Sequence, residues 1–297
     1  MDERGWRHAR GVLSLDPPAV MGILNVTPDS FFDGGRWTRA DHSVDVAAAV
    51  AHARRLVDEG AALVDVGGES TRPGSAPVPV AEELRRVVPI VEALADTGIL
   101  VSIDTRHAEV ARAALGAGAA IVNDVSGLAD PEMVGVVADG GAGLVLGHLR
   151  GTPADMQERI AFARLLPEVA EELGAAAARA VAGGVDPGAV LIDPGIGFGK
   201  TPRQSAALVA ASSWLRAKTG HRVLVGASRK SFLGRLARRS AQDEGPEDRL
   251  VPSVVAAVLA TQQGASVVRV HDVRATVEAL ALARTIAECY AAEDEVP

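Results

Sequence analysis

Eight short apolar runs alternate with eight alanine-rich stretches of helical period along the 297 residues of this chain. The apolar runs lie at residues 20–24, 62–66, 99–103, 120–122, 143–146, 190–192, 222–225 and 266–270. The helical stretches follow them in turn, at residues 43–58, 81–95, 108–117, 131–138, 165–182, 204–217, 252–263 and 275–287. Such runs are typical of strands buried on both faces of a parallel sheet. Eight strand–helix units without a break in composition predict a closed (β/α)8 barrel, an α/β TIM-barrel fold.

A doubly wound open sheet is the competing fold. It commonly has fewer strands per domain and a glycine fingerprint after its first strand, which is absent at residues 25–29. We expect one catalytic domain at 18–290, a weakly ordered leader at 1–17 and a frayed acidic tail at 291–297. The sequence therefore predicts a single barrel with loose ends.

Two loops that follow strands are longer than the others, at residues 27–39 and 67–79. The first contains a Gly34-Gly35 pair that could act as a hinge, and the second is rich in glycine and proline. Long loops at this end of a barrel often close over the site as lids.

Composition limits the partners and the compartment. The net charge of −8 argues against non-specific binding to nucleic acid, which requires a basic face. A single cysteine, Cys289, excludes an intrachain disulfide and fits a reducing compartment. No apolar run approaches the ~18 residues of a membrane span. We expect a soluble cytoplasmic protein with no nucleic-acid or membrane partner.

All eight candidate strands end in polar or charged residues, which would converge on one rim of the barrel, where such folds carry their chemistry. One or two such residues would be ordinary helix caps, but eight sets are difficult to explain that way. One group suits a phosphate or pyrophosphate, because arginine offers a bidentate fork and asparagine binds anions or metals. This group is Asn25, Arg72, Arg269 and His271.

A second group suits a flat, nitrogen-rich heterocycle, because carboxylates and amides read the N–H edge of an aminopyrimidinone and lysine donates to its acceptors. This group is Asp104, Asn123, Asp193 and Lys230. Other polar residues near the strand ends have structural alternatives: Asp65 and Asp124 as caps or rim braces, Glu69 as a loop salt-bridge partner, and His148 as a structural hydrogen-bonder.

The segment 190–200 concentrates several of these features. A buried run leads into Asp193, and three glycines then surround Phe198 before Lys200. Glycine lets a ligand approach the main chain, so the segment is either a ligand-binding loop or an ordinary strand-to-helix turn.

Seven segments together resemble the dihydropteroate synthase family. They are 21–35, 65–74, 102–105, 121–124, 190–200, 226–231 and 269–273, and the resemblance covers residues 20–285. It implies a (β/α)8 barrel that joins 6-hydroxymethyl-7,8-dihydropterin diphosphate to 4-aminobenzoate. The products would be 7,8-dihydropteroate and pyrophosphate, in a folate-forming step that sulfonamides inhibit. The resemblance also implies a homodimer and a need for Mg²⁺.

The resemblance implies a role for each matching residue. Pterin would contact Asp104, Asn123, Asp193, Gly226 and Lys230. The diphosphate would contact Asn25, Arg72, Arg269 and His271, and Asn25 would also bind Mg²⁺. The 4-aminobenzoate pocket would consist of Thr71, Pro73, Phe198, Lys230 and Ser231. The catalytic residues would be Asp193, Lys230, Arg269 and His271.

Three positions depart from the family pattern. Gly147 stands where a larger residue, often Met, packs beside the pterin; Ser205 replaces a common Asn, and Phe32 a common Ser. We expect these changes to affect substrate affinity more than activity. Three other functions stay open: a pterin-binding paralogue without turnover, a methyltetrahydrofolate-binding methyltransferase domain, and a Schiff-base aldolase that uses Lys230.

Overall fold

A computed structural model describes residues 5–27, 44–72, 74–158, 160–237, 245 and 247–294. Its strands are β1 Gly5–His8, β2 Gly11–Ser14, β3 Ala19–Asn25, β4 Leu63–Gly67, β5 Val101–Asp104, β6 Ile121–Asp124, β7 Gly143–Gly147, β8 Val190–Asp193, β9 Arg222–Val225 and β10 Val267–Val270. Strands β3 to β10 pair in parallel and in chain order, and β10 closes the ring against β3. The predicted eight-stranded barrel is confirmed.

Ten α-helices lie in the described ranges. They are α1 Val46–Asp58, α2 Val80–Ala95, α3 Ala108–Gly116, α4 Met133–Asp139, α5 Leu165–Ala182, α6 Pro202–Val209, α7 Ser212–Thr219, α8 Ser231–Ala237, α9 Leu250–Gln262 and α10 Val273–Asp294. Short 3₁₀ turns lie at Pro187–Ala189 and Glu247–Arg249.

The helix predictions need three corrections. The single helix predicted at 204–217 is two helices, α6 and α7, because the chain leaves helical geometry at Ala210 and Ala211. Helix α8 was not predicted. Helix α10 continues through Asp294, so the expectation of a frayed tail is wrong for residues 291–294. Residues 295–297 lie outside the described residues.

The expectation of a weakly ordered leader is also wrong for residues 5–14. These residues form an antiparallel hairpin of β1 and β2 that packs against the amino-terminal end of the barrel. Trp6 is fully buried there, and its indole N–H donates to the Ala189 carbonyl at 2.7 Å. Burial of this one large aromatic ring supplies the ordering energy that a purely polar leader would lack.

Strand register aligns the predicted polar residues at the opposite, carboxyl-terminal rim. Asn25 lies beside Gly67, Gly67 beside Asp104, and Asp104 beside Asn123, while Gly147 lies beside Asp193. Adjacent parallel strands therefore present their last residues at one level. Within the described part of the chain, no helix is both long enough and apolar enough to span a bilayer.

Candidate active site at the carboxyl end of the barrel

Arg269 lies at the centre of the polar rim. From β10 its Nε donates to Oδ2 of Asp65 at 2.6 Å, and its Nη2 donates to Oδ2 of Asp104 at 2.7 Å. Asn123 Nδ2 donates to the same Asp65 oxygen at 2.9 Å. Arg269, Asp104 and Asn123, from the two sequence-predicted groups, thus lie close to Asp65. For Asp65 the sequence left a helix cap or a rim brace open as structural alternatives.

The electrostatics of this cluster are those of buried, like-charged carboxylates around one cation. Burial raises the pKa of Asp104 to about 7, although the Arg269 guanidinium opposes the shift. The pKa of Arg269 is itself raised, because Asp65 and Asp104 outweigh its burial. Oδ1 of Asp65 and Oδ1 of Asp104 are buried and have no hydrogen-bond partner among the described residues. Of these two acceptors, Asp104 Oδ1 at the end of β5 suits a ligand N–H group.

Asp193 and Lys230 form the second part of the site. Asp193 Oδ1 accepts from Gly195 N–H at 2.7 Å, and burial raises the pKa of this carboxyl against the opposing effect of Lys230. Lys230 Nζ donates to the Ile196 carbonyl and lies 4.1 Å from the Phe198 ring centroid. Burial lowers the pKa of Lys230 to about 8.

Gly226 leaves the space beside this carboxylate open. A Cβ atom at that position would lie 3.7 Å from Asp193 Oδ2 and 3.8 Å from Arg269 Cβ. Gly226 therefore lies between Asp193 and Arg269. Because it has no side chain, a planar ligand can approach the main chain there.

The phosphate-type residues surround His271. Its Nδ1 lies 3.1 Å from Ser228 Oγ, and its backbone N–H also donates to that hydroxyl. Burial, then the surrounding cations, lower the pKa of His271 well below its usual value. The cations that act on it are Arg229, Arg269, Arg72 and Lys230. This part of the rim collects four cationic side chains around His271, which suits an anion.

The remaining predicted site residues lie at the edges of this region or outside the described ranges. Asn25 is half-buried at the end of β3, Thr71 is half-buried, and Arg72 and Ser231 are exposed. Pro73 lies outside the described residues, as do Phe32 and the Gly34-Gly35 pair. These positions stay predictions.

Lys200 anchors the loop that carries Phe198. Its buried ammonium donates to the Phe198 carbonyl at 2.9 Å and to the His148 carbonyl at 3.3 Å, and lies 2.9 Å from His148 Nδ1. The other His148 nitrogen lies 3.0 Å from Glu172 Oε2. Burial lowers the pKa of His148 to about 4, so the neutral ring accepts from the lysine. Both residues brace the loop.

A third long loop, residues 148–164, was not singled out from the sequence. The Pro153 carbonyl accepts from Gly74 N–H at 3.0 Å, and Gln157 Nε2 donates to the Gly197 carbonyl at 2.8 Å. The loop thus connects the segment after β4 with the segment after β8. The long separation between the predicted strand at 143–146 and the predicted helix at 165–182 is the sequence feature that could have identified this loop.

Asp124 and Glu69 have the structural roles that were left open for them. Asp124 accepts from Ser126 and Leu128 backbone N–H groups, both at 2.8 Å, and so caps the turn after β6. Both Glu69 carboxylate oxygens accept from Arg106, at 2.7 and 2.9 Å.

Among the residues that the structure describes, one group of side chains has ligand-type spacing for a cation: Glu69, Glu83 and His107 have ligand atoms within 4.8 Å of one another. However, Arg106 occupies both oxygens of Glu69, and His107 Nδ1 lies 2.8 Å from Glu83 Oε2. A bound cation would have to displace a guanidinium, so we interpret the group as a salt-bridge clamp on the loop after β4.

Gly147 is explained by a close approach of the main chain. A Cβ atom there would lie 2.6 Å from Val125 Cα, and a Cβ atom on Gly127 would lie 2.8 Å from the Gly147 carbonyl oxygen. The loop after β6 therefore occupies the space beside Gly147 where a larger side chain would lie.

Comparison with known proteins agrees with this geometry. The model of the pterin binding enzyme family matches residues 21–271. A dihydropteroate synthase from Mycobacterium leprae (strain TN) is 50% identical over 271 residues, 90% of this chain and 93% of that protein.

Solved structures agree as well. The Yersinia pestis dihydropteroate synthase, in a sulfonamide drug complex, has a TM-score of 0.87 at 40% identity and covers 96% of this chain and 99% of its own. The Burkholderia cenocepacia enzyme, complexed with 7,8-dihydropteroate, has a TM-score of 0.83 at 38% identity, with coverages of 96% and 97%. The chain belongs to the dihydropteroate synthase family of pterin-binding enzymes.

Proposed function

We propose that the carboxyl-end site condenses 6-hydroxymethyl-7,8-dihydropterin diphosphate with 4-aminobenzoate to give 7,8-dihydropteroate and pyrophosphate. The observation that carries the proposal is the position of Arg269. It contacts the buried carboxylates Asp65 and Asp104, which with Asn123 form the floor of the site, and it also belongs to the cationic rim around His271. A ligand with a heterocycle at one end and a diphosphate at the other matches both surfaces. The 7,8-dihydropteroate bound by the Burkholderia cenocepacia enzyme carries the heterocyclic end of such a ligand.

The pterin ring lies against the floor. Asp104 and Asp193 accept from its N–H groups, Asn123 and Lys230 complete the edge, and Gly226 gives the ring room beside Asp193. Buried acceptors such as Asp104 Oδ1 favour a ligand that supplies N–H donors, because an unpaired buried polar atom costs ~1–3 kcal/mol.

The diphosphate lies at the rim with Asn25, Arg72, Arg269 and His271. Arginine matches phosphate oxygens with two parallel N–H bonds. Asn25 offers one neutral amide oxygen, a hard ligand that fits Mg²⁺ carried mainly by the diphosphate itself. Bound Mg²⁺ would neutralise charge on the leaving pyrophosphate.

The second substrate, 4-aminobenzoate, lies beside Phe198 and Lys230, in a pocket completed by Thr71, Pro73 and Ser231. The 4.1 Å separation of the Lys230 ammonium from the Phe198 ring keeps an aromatic wall and a cation together. This pair suits an aromatic carboxylate.

The reaction proceeds by SN1-like loss of pyrophosphate. The bond from the pterin methylene to the diphosphate oxygen breaks, and its electron pair leaves on pyrophosphate. The electron-rich dihydropterin carries the positive charge, which the Asp193 carboxylate stabilises, while Arg269 and His271 hold the leaving group. The aniline nitrogen then bonds to the methylene carbon and loses a proton.

A non-catalytic paralogue and a methyltetrahydrofolate-binding methyltransferase are the alternatives. Neither requires the cationic rim around His271, and an aldolase would not require the carboxylate floor. We test the proposal by pyrophosphate release from purified protein with Mg²⁺, pterin diphosphate and 4-aminobenzoate. Release that depends on both substrates and is inhibited by a sulfonamide supports it, and no release contradicts it.

We also propose a cytoplasmic homodimer. Helix α9 exposes Val251, Val255 and Leu259, and helix α10 exposes Ile286 and Tyr290, at helical spacing on two helices that pack together. Apolar stripes of this kind mark interfaces. Light scattering should give twice the chain mass for the wild type and the monomer mass for Val255→Glu/Ile286→Glu, with the pterin affinity of each variant as the control for folding.

A further inference from the structure

Asp65 contacts residues assigned to two different parts of the substrate. It lies in the middle of β4, is 0% exposed, and accepts through one oxygen from both Arg269 Nε and Asn123 Nδ2. No role was assigned to this carboxylate beyond a possible brace. Its position between a guanidinium and an amide is more specific than bracing requires.

We propose that Asp65 is a positioning residue that couples the pterin and diphosphate subsites through Arg269 and Asn123. The proposal rests on the roles proposed for those two residues. Asp65 holds Arg269 at Nε and thereby leaves both terminal guanidinium nitrogens available for exchange between Asp104 and the diphosphate.

The same contact orients the Asn123 carboxamide. An ionised carboxylate only accepts hydrogen bonds, so the amide nitrogen must face Asp65 and the amide oxygen must face away from it. Asp65 therefore determines which edge of Asn123 is presented to the heterocycle. An uncharged residue that both donates and accepts would allow either orientation.

Ligand binding changes the partners of Arg269. Its Nη2 bonds to Asp104 at 2.7 Å, yet Asp104 is also the proposed acceptor for pterin N–H groups. When the ring engages Asp104, the freed Nη2 can turn to the diphosphate while Nε stays on Asp65. Pterin binding and diphosphate binding are thus linked through the Arg269 guanidinium, which changes its Nη2 partner while its Nε stays bonded to Asp65.

A purely structural carboxylate is the opposing interpretation, and Asp124 provides the matched control. Asp124 is equally buried, lies at the end of strand β6, which is separated from β4 by β5, and bonds to the backbone of the turn at 126–128 instead of Arg269 or Asn123. Replacing either aspartate by Asn conserves volume and exchanges one buried carboxyl oxygen for an amide nitrogen. Only Asp65→Asn should alter substrate coupling.

The test measures, by calorimetry with Mg²⁺ present, the affinity of full-length protein for 6-hydroxymethyl-7,8-dihydropterin and for its diphosphate. The ratio of the two affinities reports the diphosphate contribution. We expect Asp65→Asn to lower this ratio by about tenfold, as loss of a charge-assisted contact predicts, and Asp124→Asn to lower only the unfolding temperature. In the Asp65→Asn/Arg269→Ala double variant, the ratio should equal that of Arg269→Ala alone.

An unchanged ratio in Asp65→Asn, or fully additive effects in the double variant, would overturn the coupling role while leaving the diphosphate assignment intact. A wild-type ratio in Arg269→Ala would instead overturn the assignment of Arg269, and the coupling with it. If Asp65→Asn does not fold, Asp65→Ser in the same cycle keeps the comparison available, since its small hydroxyl can still accept one hydrogen bond.

Discussion

The two ends of the barrel differ in how they use the same strands. At the amino-terminal end, Trp6 and the inward-facing side chains of the strands form a closed apolar cluster beneath the hairpin. At the carboxyl-terminal end, buried Oδ1 atoms of Asp65 and Asp104 have no hydrogen-bond partner within the part of the chain that the structure describes. The first end is packed with apolar side chains, whereas the second offers buried hydrogen-bond acceptors.

The change occurs within two residues along four of the eight barrel strands, β4, β6, β8 and β10. Alternate residues of a strand point to the same face, so an apolar side chain and the residue two positions later both face the barrel interior. The pairs are Leu63 and Asp65, Ile121 and Asn123, Leu191 and Asp193, and Val267 and Arg269. Stability and binding are therefore separated by one layer of side chains, and the substitutions below test that separation.

The largest effect is expected at the closed end. Trp6→Ala removes a fully buried ring and its bond to Ala189, and should lower the free energy of unfolding by ~3–5 kcal/mol. Denaturant titration measures this, and kcat/KM at low temperature should stay at the wild-type value. Val12→Ala, on the exposed face of the same hairpin, should change stability by less than ~0.5 kcal/mol. A large loss of kcat/KM in folded Trp6→Ala would contradict the separation.

At the carboxyl-terminal end of β8, a substitution should lower ligand affinity and leave stability nearly unchanged. Asp193→Ala should weaken pterin binding by roughly 10²–10³-fold, because charge-assisted hydrogen bonds to the ring are lost. Calorimetry with the unphosphorylated pterin measures it. Asp186→Ala is the matched control, since Asp186 precedes β8 at the amino-terminal end and bonds to Arg7. Equal pterin affinity in the two variants would refute the role of Asp193.

Gly147 tests how tightly the carboxyl-end loops pack. Gly147→Ala places a methyl group 2.6 Å from Val125 Cα and should cost ~1–3 kcal/mol of unfolding free energy. In α4, where an added Cβ meets nothing within 4 Å, Gly135→Ala should stabilise by up to ~1 kcal/mol. Thermal unfolding of both variants measures these changes. A Gly147→Ala variant as stable as the wild type would show that the loop after β6 moves to accommodate the methyl group.

The smallest effect is expected from pH. Asp104 becomes an ionised acceptor only as pH rises through about 7, and Lys230 loses its proton as pH rises through about 8. The kcat/KM for pterin diphosphate should therefore be highest between these values and fall about tenfold per unit beyond each limit. Lys230→Arg should move the alkaline limb upward, and an alkaline limb unchanged in that variant would assign it to another group.

The fold and the ends of the strands could be predicted because they depend on local pattern. Alternation of apolar and helical segments identified all eight barrel strands, and the residues that follow each strand identified the rim. The connection of Asp65 to Arg269 could not be predicted, because it joins β4 to β10 across the barrel and depends on side-chain reach.

Two local features were missed for other reasons. The hairpin of residues 5–14 has only four-residue strands, whose stability comes from the burial of Trp6 against distant Ala189. The loop at 148–164 has no regular pattern, and its contacts to Gly74 and Gly197 are set by tertiary structure.

The central claim is that Arg269 links the pterin-binding carboxylates to the diphosphate-binding residues. Its most direct test compares the affinities of wild type and Arg269→Ala for 6-hydroxymethyl-7,8-dihydropterin with and without its diphosphate. We expect the wild type to prefer the diphosphate form, and Arg269→Ala to lose most of that preference while it still binds the unphosphorylated pterin. A preference unchanged in Arg269→Ala would contradict the account.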